Sequence, residues 1–413
     1  MKLPKLIHWC LLGSLGLFLS APKTTAQEFV DQVDDALFVE AGDGWFRADL
    51  SGLIDLETYY VDQRPPGLVF SDDQWFFNPR MSLFLDARFG DHFYAMAQAR
   101  FDRGFDPGLR ADGDVRLDEY FLRYTPLEGP EVNVQVGRFA MMFGDWVQRH
   151  DSWKNPFVTA PLVYENVTTI TDHLAPGAPG GFAGRKNRPD VKRAWLPVIW
   201  GPVYAGGAAV FGTVGKVDYS FEVKNSSISS RPYSWDPFRI NWEHPTFNGR
   251  VGHRPNASWK YGLSYSQGAY MIPPAEPTLP LGTSLDDFPQ KTFGVDVAWS
   301  WRRLELWGEF IHSSFDVPNV GHADSFSYFL ESRYRVTPRL FAALRWNQQF
   351  FGKVPDGAGG ETDWDQDISR IDLAGTYRWT RHLQTKLQYS YSHQKGAFQQ
   401  GEQLLAGQMT IKF

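Results

Sequence analysis

The run "GRKNRPDVKR" holds Arg185, Lys186, Arg188, Lys192 and Arg193 against a single acid, Asp190. Guanidinium groups gathered at a narrow place take up carboxylates and phosphates through paired hydrogen bonds. Such a run could therefore build a cationic constriction that favours anionic solutes. A solvated surface run is the plainer alternative. Upstream, "DWVQRHDSWKNPFVTAPLVYE" carries Trp146 and Trp153, and Trp195 follows the basic run. Indole faces could stack on sugar rings, or they could pack their own segment against a wall. A third cluster, "DGAGGETDWDQD", presents Asp356, Glu361, Asp363, Asp365 and Asp367. It could hold a divalent cation, but it lacks EF-hand spacing, so an acidic surface loop is the stronger reading.

Catalysis has thin support. Asp151, Ser152, Asp172 and His173 supply hydrolase residue types, yet no G-x-S-x-G or comparable scaffold surrounds them. No phosphate loop, dinucleotide fingerprint or metal-ligand cluster appears. Neither an enzymatic activity nor a cofactor nor a metal is expected.

The elements that must position these clusters have a period of two. In "RIDLAGTYRWTRHLQTKLQYSYSH", Ile371, Leu373, Gly375, Tyr377 and Trp379 share one face, and Arg370, Asp372, Thr376 and Arg378 the other. After "TRH" the alternation resumes, which is a β-hairpin. The same grammar predicts strands near 45–61, 77–89, 92–103, 114–125, 131–140, 202–214, 216–227, 246–253, 257–269, 290–301, 303–315, 324–336, 339–351, 367–379, 382–394 and 402–413. That is about sixteen, an even number, as single-chain outer-membrane barrels have.

The connections sort by length. Short links such as "GDH", "VGK", "RR", "TPR" and "TRH" fall at one end of the strands. Long links at 62–76, 103–113, 141–201, 228–245, 270–289, 316–323, 352–366 and 395–401 fall at the other. Short turns on one rim and long loops opposite describe a transmembrane antiparallel β-barrel. The third long link, 141–201, is a candidate constriction loop. It is too rich in Trp and Phe for disorder in its first half.

Composition agrees. The chain has 16 Trp, 17 Tyr and 32 Phe, with rings gathered beside the short turns. Such rings suit a girdle at a membrane–water boundary. "MKLPKLIHWCLLGSLGLFLSAPKTTAQ" has the charged, apolar and small-residue order of a signal peptide, so residues 1–26 are expected to be removed. Cys10, the only cysteine, lies within it. Removing three lysines and no acids leaves 38 basic and 47 acidic residues, a net −9. That charge argues against a nucleic-acid partner. Residues 27–44 are expected to form a short periplasmic segment, and 45–413 the barrel.

Inward faces are expected to be polar and of mixed sign: Arg47, Asp49, Asp55 and Glu57 on the first strand, then Arg80, Asp86 and Arg88. About sixteen strands leave room for an aqueous channel. Lipid around the barrel and small hydrophilic solutes within it are the expected partners.

A resemblance adds to this. "VNVQVGRFAMMFGDW" resembles the strand-and-loop start of porins in the phosphate-selective porin O/P group, with Gly137, Phe139, Phe143 and Gly144 in a G-x-F-x-x-x-F-G pattern. "DEYFLRY" looks like the strand before it. The ending "IKF" resembles the C-terminal signal of outer-membrane barrels, read by the insertion machinery through the final aromatic, here Phe413. The match implies a Gram-negative outer-membrane porin in which the third loop folds inward. A homotrimer would fit by the same resemblance. Phosphate-selective members share a ladder of lumen Arg and Lys; the inward charges here are mixed, so the class is implied and the substrate is not. The expected selectivity ring is Arg185, Lys186, Arg188 and Arg193, with Arg138 near the loop root. A carbohydrate channel using Trp146, Trp153 and Trp195 is the alternative, and an outer-membrane enzyme the least favoured.

Overall fold

The computed structural model describes residues 37–63, 67–69, 73–103, 113–187, 195–231, 242–396 and 401–413. The expected signal peptide lies outside the described residues, as does most of the segment 27–44.

A short strand, β1 (Phe38–Ala41), precedes sixteen long ones. These are β2 (Phe46–Val61), β3 (Trp75–Phe89), β4 (Phe93–Asp102), β5 (Asp114–Tyr124), β6 (Asn133–Ala140), β7 (Tyr204–Val214), β8 (Val217–Lys224) and β9 (Thr246–Asn256). They continue as β10 (Trp259–Ala269), β11 (Pro289–Trp301), β12 (Leu304–Val317), β13 (Gly321–Arg335), β14 (Leu340–Phe351), β15 (Ile368–Arg378), β16 (Leu383–Gln394) and β17 (Gly401–Lys412). Each pairs antiparallel with its neighbours in sequence. The sheet closes where β2 pairs with β17, from Leu53 opposite Lys412 to Val61 opposite Leu404. Closure leaves no hydrogen-bonding edge for lipid to cover, which is what a sheet in a bilayer requires. No helix among the described residues is long and apolar enough to cross a membrane; most of the strands, at ten residues or more, are long enough when tilted.

Alternation sets the two faces. Val251, Leu263 and Leu387 are exposed on the outside, while Arg250, Ser264 and Gln388 are buried inside. The rings beside the short turns point outward and touch: Trp259 lies 6.0 Å from Trp299, Phe93 stacks on Tyr124 at 5.0 Å, and Tyr377 meets Trp379 at 4.6 Å. Indoles and phenols of this kind suit a boundary that is apolar below and wet above.

Two boundaries differ from expectation. The sixth long link, 316–323, shrinks to residues 318–320, because β12 and β13 keep pairing out to Val317 opposite Gly321. Asp316 and His322 are polar and read as loop, yet they form a cross-strand pair there. At the other rim, β1 pairs with the start of β2, Phe38 opposite Asp49 and Ala41 opposite Phe46. It continues the edge that β17 leaves at Gly52, so part of the expected periplasmic segment is strand.

Candidate functional site

The segment between β6 and β7 touches inward-facing side chains around much of the barrel. Met142 N–H donates to Glu222 on β8 at 3.0 Å, and Gly144 N–H to Ser264 Oγ on β10 at 3.1 Å. Asp145 and Trp146 N–H groups both donate to Glu309 Oε1 on β12, at 2.7 and 2.6 Å. The Tyr164 hydroxyl donates to the other oxygen of Glu309. The chain then reaches the far wall. Gln384 on β16 donates to Ser152 O at 2.9 Å, and Gln388 accepts from Val158 and Thr159. Asn347 on β14 accepts from Leu162 N–H at 3.2 Å, and Arg345 donates to Thr159 O and Ala160 O. Gln290 on β11 donates to Val198 O at 2.8 Å. Backbone groups out of water need such partners, and the inward polar residues supply them.

The G-x-F-x-x-x-F-G pattern is the root of this segment. Gly137 has φ +142°, and a Cβ there would lie 2.3 Å from Tyr120 O. Gly144 has φ +67°, and a Cβ would meet the Tyr164 hydroxyl at 2.7 Å and Glu309 at 2.8 Å. Both positions need glycine on backbone and contact grounds. Phe139 is buried beneath the Lys224 ammonium, which donates to Phe139 O at 2.9 Å. Phe143 packs against Gly294 of β11, whose missing side chain leaves room for its ring. An apolar cluster follows, with Trp146, Leu162, Val163 and Tyr164 against Ile311, Phe315 and Phe329 of the wall.

The segment leaves space on one side. A cavity of about 350 Å³ lies between its residues 148–154 and the wall of β2 to β5. Asp55, Arg80, Gln98, Arg100 and Glu119 line the wall side, and His150, Asp151, Trp153 and Lys154 the segment side. Arg80 pairs with Asp55 at 3.3 Å and with Glu57; Arg100 pairs with Asp102 at 3.1 Å and with Asp118 at 3.5 Å. Both arginines keep about a fifth of their side chains exposed, while the acids behind them are nearly or wholly buried. A solute in the cavity therefore meets these guanidinium edges together with the carboxylates of Asp55, Glu119 and Asp151. Across from them, Lys154 pairs with Asp151 at 2.9 Å and is 64% exposed. Burial works against the Asp151 carboxylate, and Lys154 more than offsets it, so its pKa falls below the usual range. His150 accepts from the Tyr204 hydroxyl at 2.7 Å and donates to Val147 O at 2.5 Å. Burial lowers the His150 pKa, which keeps the ring neutral.

The expected site residues scatter. Arg138 shares its face with Val134, Val136 and, across the ladder, Tyr120. Arg185 donates to Thr169 O at 3.2 Å and covers the Phe182 ring; Lys186 donates to Thr362 Oγ1 at 2.7 Å. Lys186 thereby packs at the loop between β14 and β15, and Arg185 within its own segment. Arg188 and Arg193, like Lys192, lie outside the described residues. Trp146 is buried, its ring tilted against Tyr164 at 4.5 Å, and Trp195 is buried too. Trp153 alone of the three tryptophans lines the cavity. The hydrolase residues separate: Asp151 caps the Trp153 and Lys154 N–H groups beside the cavity, while Asp172 is held by Arg231 at 2.9 Å. In the acidic loop, Asp356 accepts from Ala358 and Gly360 N–H groups, which lowers its pKa. Its carboxylate closes a turn.

No family model matches the sequence, and no curated protein matches it. Solved structures do match its fold. Salmonella typhi OmpF, solved in complex with daunomycin, superposes with a TM-score of 0.56 over 91% of this chain and 100% of its own, at 11% identity. The anion-selective porin from Comamonas acidovorans gives 0.56 over 89% and 100%, at 11% identity. The outer-membrane channel DcaP of Acinetobacter baumannii gives 0.54 over 91% and 99%, at 11% identity. The fold is that of Gram-negative outer-membrane porins.

Proposed function

We propose that the chain is an outer-membrane porin, a passive channel for small hydrophilic solutes and ions. The observation that carries this reading is the cavity between residues 148–154 and the Arg80–Arg100 wall, inside a closed sixteen-stranded barrel. A segment crossing the lumen narrows the path, and fixed charges at the narrow place sort what passes. Cleavage after residue 26, insertion guided by Phe413 and assembly as a homotrimer belong to the same proposal.

An anion bias is supported by Arg80, Arg100, Lys154 and Lys412, which meet a solute at the cavity against Asp55, Glu119 and Asp151. Because the buried acids offset the arginines, the bias is weak. The likeness to the phosphate-selective O/P group rests on the loop-root pattern, whose glycines are explained by backbone conformation and close contacts. A carbohydrate path retains one stacking ring, Trp153. Reversal potentials in a salt gradient test the bias. A value on the chloride side supports it, and one near the cation limit removes it.

A further inference from the structure

Along the inner wall, cations and rings alternate in an unbroken series. The Arg149 guanidinium stands 4.4 Å from the Trp307 ring centre, and Arg333 5.5 Å from the same ring. Arg333 also lies 5.7 Å from Phe341, whose ring is 4.9 Å from Arg378. Arg378 is 5.6 Å from Trp153, and Lys412 is 5.8 Å from Trp153 on the cavity wall. Strand parity turns Trp307, Arg333, Phe341 and Arg378 inward. Cations over ring faces are attracted by the ring quadrupole, so the series holds its members in place.

The two ends differ in charge balance. Arg149 pairs with Glu331, and Arg333 with Glu305 at 2.6 Å. Arg378 makes no side-chain hydrogen bond or ion pair with a described residue, and its Nε is buried without a partner. Lys412 has no carboxylate within ion-pair distance among the described residues. One end of the series therefore carries two cations outside any ion pair among the described residues, with Glu305 the acid that acts on Arg378, around an indole that borders an open cavity.

We propose that Trp153, Arg378 and Lys412 form a binding subsite for small aromatic carboxylates. The carboxylate would accept from Arg378 and Lys412, and the ring would lie against Trp153. Chloride or phosphate would leave the indole unused, and a neutral sugar would leave the guanidinium uncompensated. The cavity that Trp153 and Lys412 line is of the size that takes a single-ring solute, and Arg378 stands 5.6 Å from the indole, beyond that lining. This inference rests on the channel reading for access, but its binding chemistry can be read separately.

The test uses benzoate, with acetate and benzamide as controls, on the full-length purified protein. In planar bilayers benzoate is expected to block potassium chloride current at about tenfold lower concentration than either control, the preference one ion-paired ring contact gives. Equilibrium dialysis of labelled benzoate against detergent-solubilised protein gives a second reading that needs no current. Arg378→Gln and Trp153→Leu should each abolish the preference in both assays, and Arg378→Lys should restore part of it. Folding of each variant is checked by the heat-modifiable band on gels. Equal binding of benzoate and acetate, or an undiminished preference in Arg378→Gln, overturns the subsite while chloride current leaves the channel standing. Absent current with retained benzoate binding would overturn the channel alone.

Discussion

Gly52 and Phe413 face each other across the closing seam, joined by two backbone hydrogen bonds of 2.8 and 3.1 Å. The Phe413 ring lies over Gly52 so closely that a Cβ there would come within 2.4 Å of Cζ. The seam between first and last barrel strands is thus sealed by a ring over a glycine. Gly52→Leu should displace the ring and lower the yield of folded barrel, read as the heat-modifiable fraction. Deleting Phe413 should reduce membrane levels more than single-channel conductance. Normal levels after deletion would refute its role as an insertion signal.

Glu309 fastens the start of the crossing segment through two N–H groups and the Tyr164 hydroxyl. Glu309→Ala leaves these donors without an acceptor, at about 1–3 kcal/mol for each buried one. Lower thermal stability and noisier, larger channel current are expected. Gly144→Val should act the same way, through its clash with Tyr164 and Glu309. A quiet channel of unchanged size in both variants would mean that this anchor does not hold the aperture.

His150 supplies a pH dependence of definite sign. Its folded pKa is lowered by burial, so the folded state disfavours protonation. The stability it contributes is present above the ordinary histidine value of about 6.5 and is lost as pH falls through the lowered value. Acidification should loosen the contact with Tyr204 and raise current noise at a pH below that ordinary value. His150→Gln should flatten this response. A response that persists unaltered in the variant would assign it to other groups.

Arg80 and Arg100 compete with the linear cluster for control of selectivity. Neutralising Arg80 and Arg100 to Gln should shift the reversal potential toward cations. Neutralising Arg185, Arg188 and Arg193 should shift it less, because Arg185 is engaged with Thr169 and Phe182. The opposite ranking would return the selectivity ring to the loop.

Most of the barrel was legible in the sequence, because side-chain period, turn length and aromatic placement all follow from one strand geometry. The inward placing of Asp55, Glu57 and Arg80 followed from the same parity. The site was less legible, since density of charge along the chain is not density in space. Arg80 and Arg100 are twenty positions apart and meet only through the pairing of β3 with β4, where Ser82 lies opposite Arg100. Trp146 and Trp153 look alike in sequence. What separates them is that one packs under Tyr164 and the other stops at the cavity edge. Nothing in the alternation encodes that difference.

Single-channel recording of the purified protein in planar bilayers tests the porin reading most directly. Stepwise, ohmic openings in potassium chloride, whose size rises when Glu309→Ala loosens the crossing segment, are expected. A folded, heat-modifiable barrel that inserts and passes no current would contradict it.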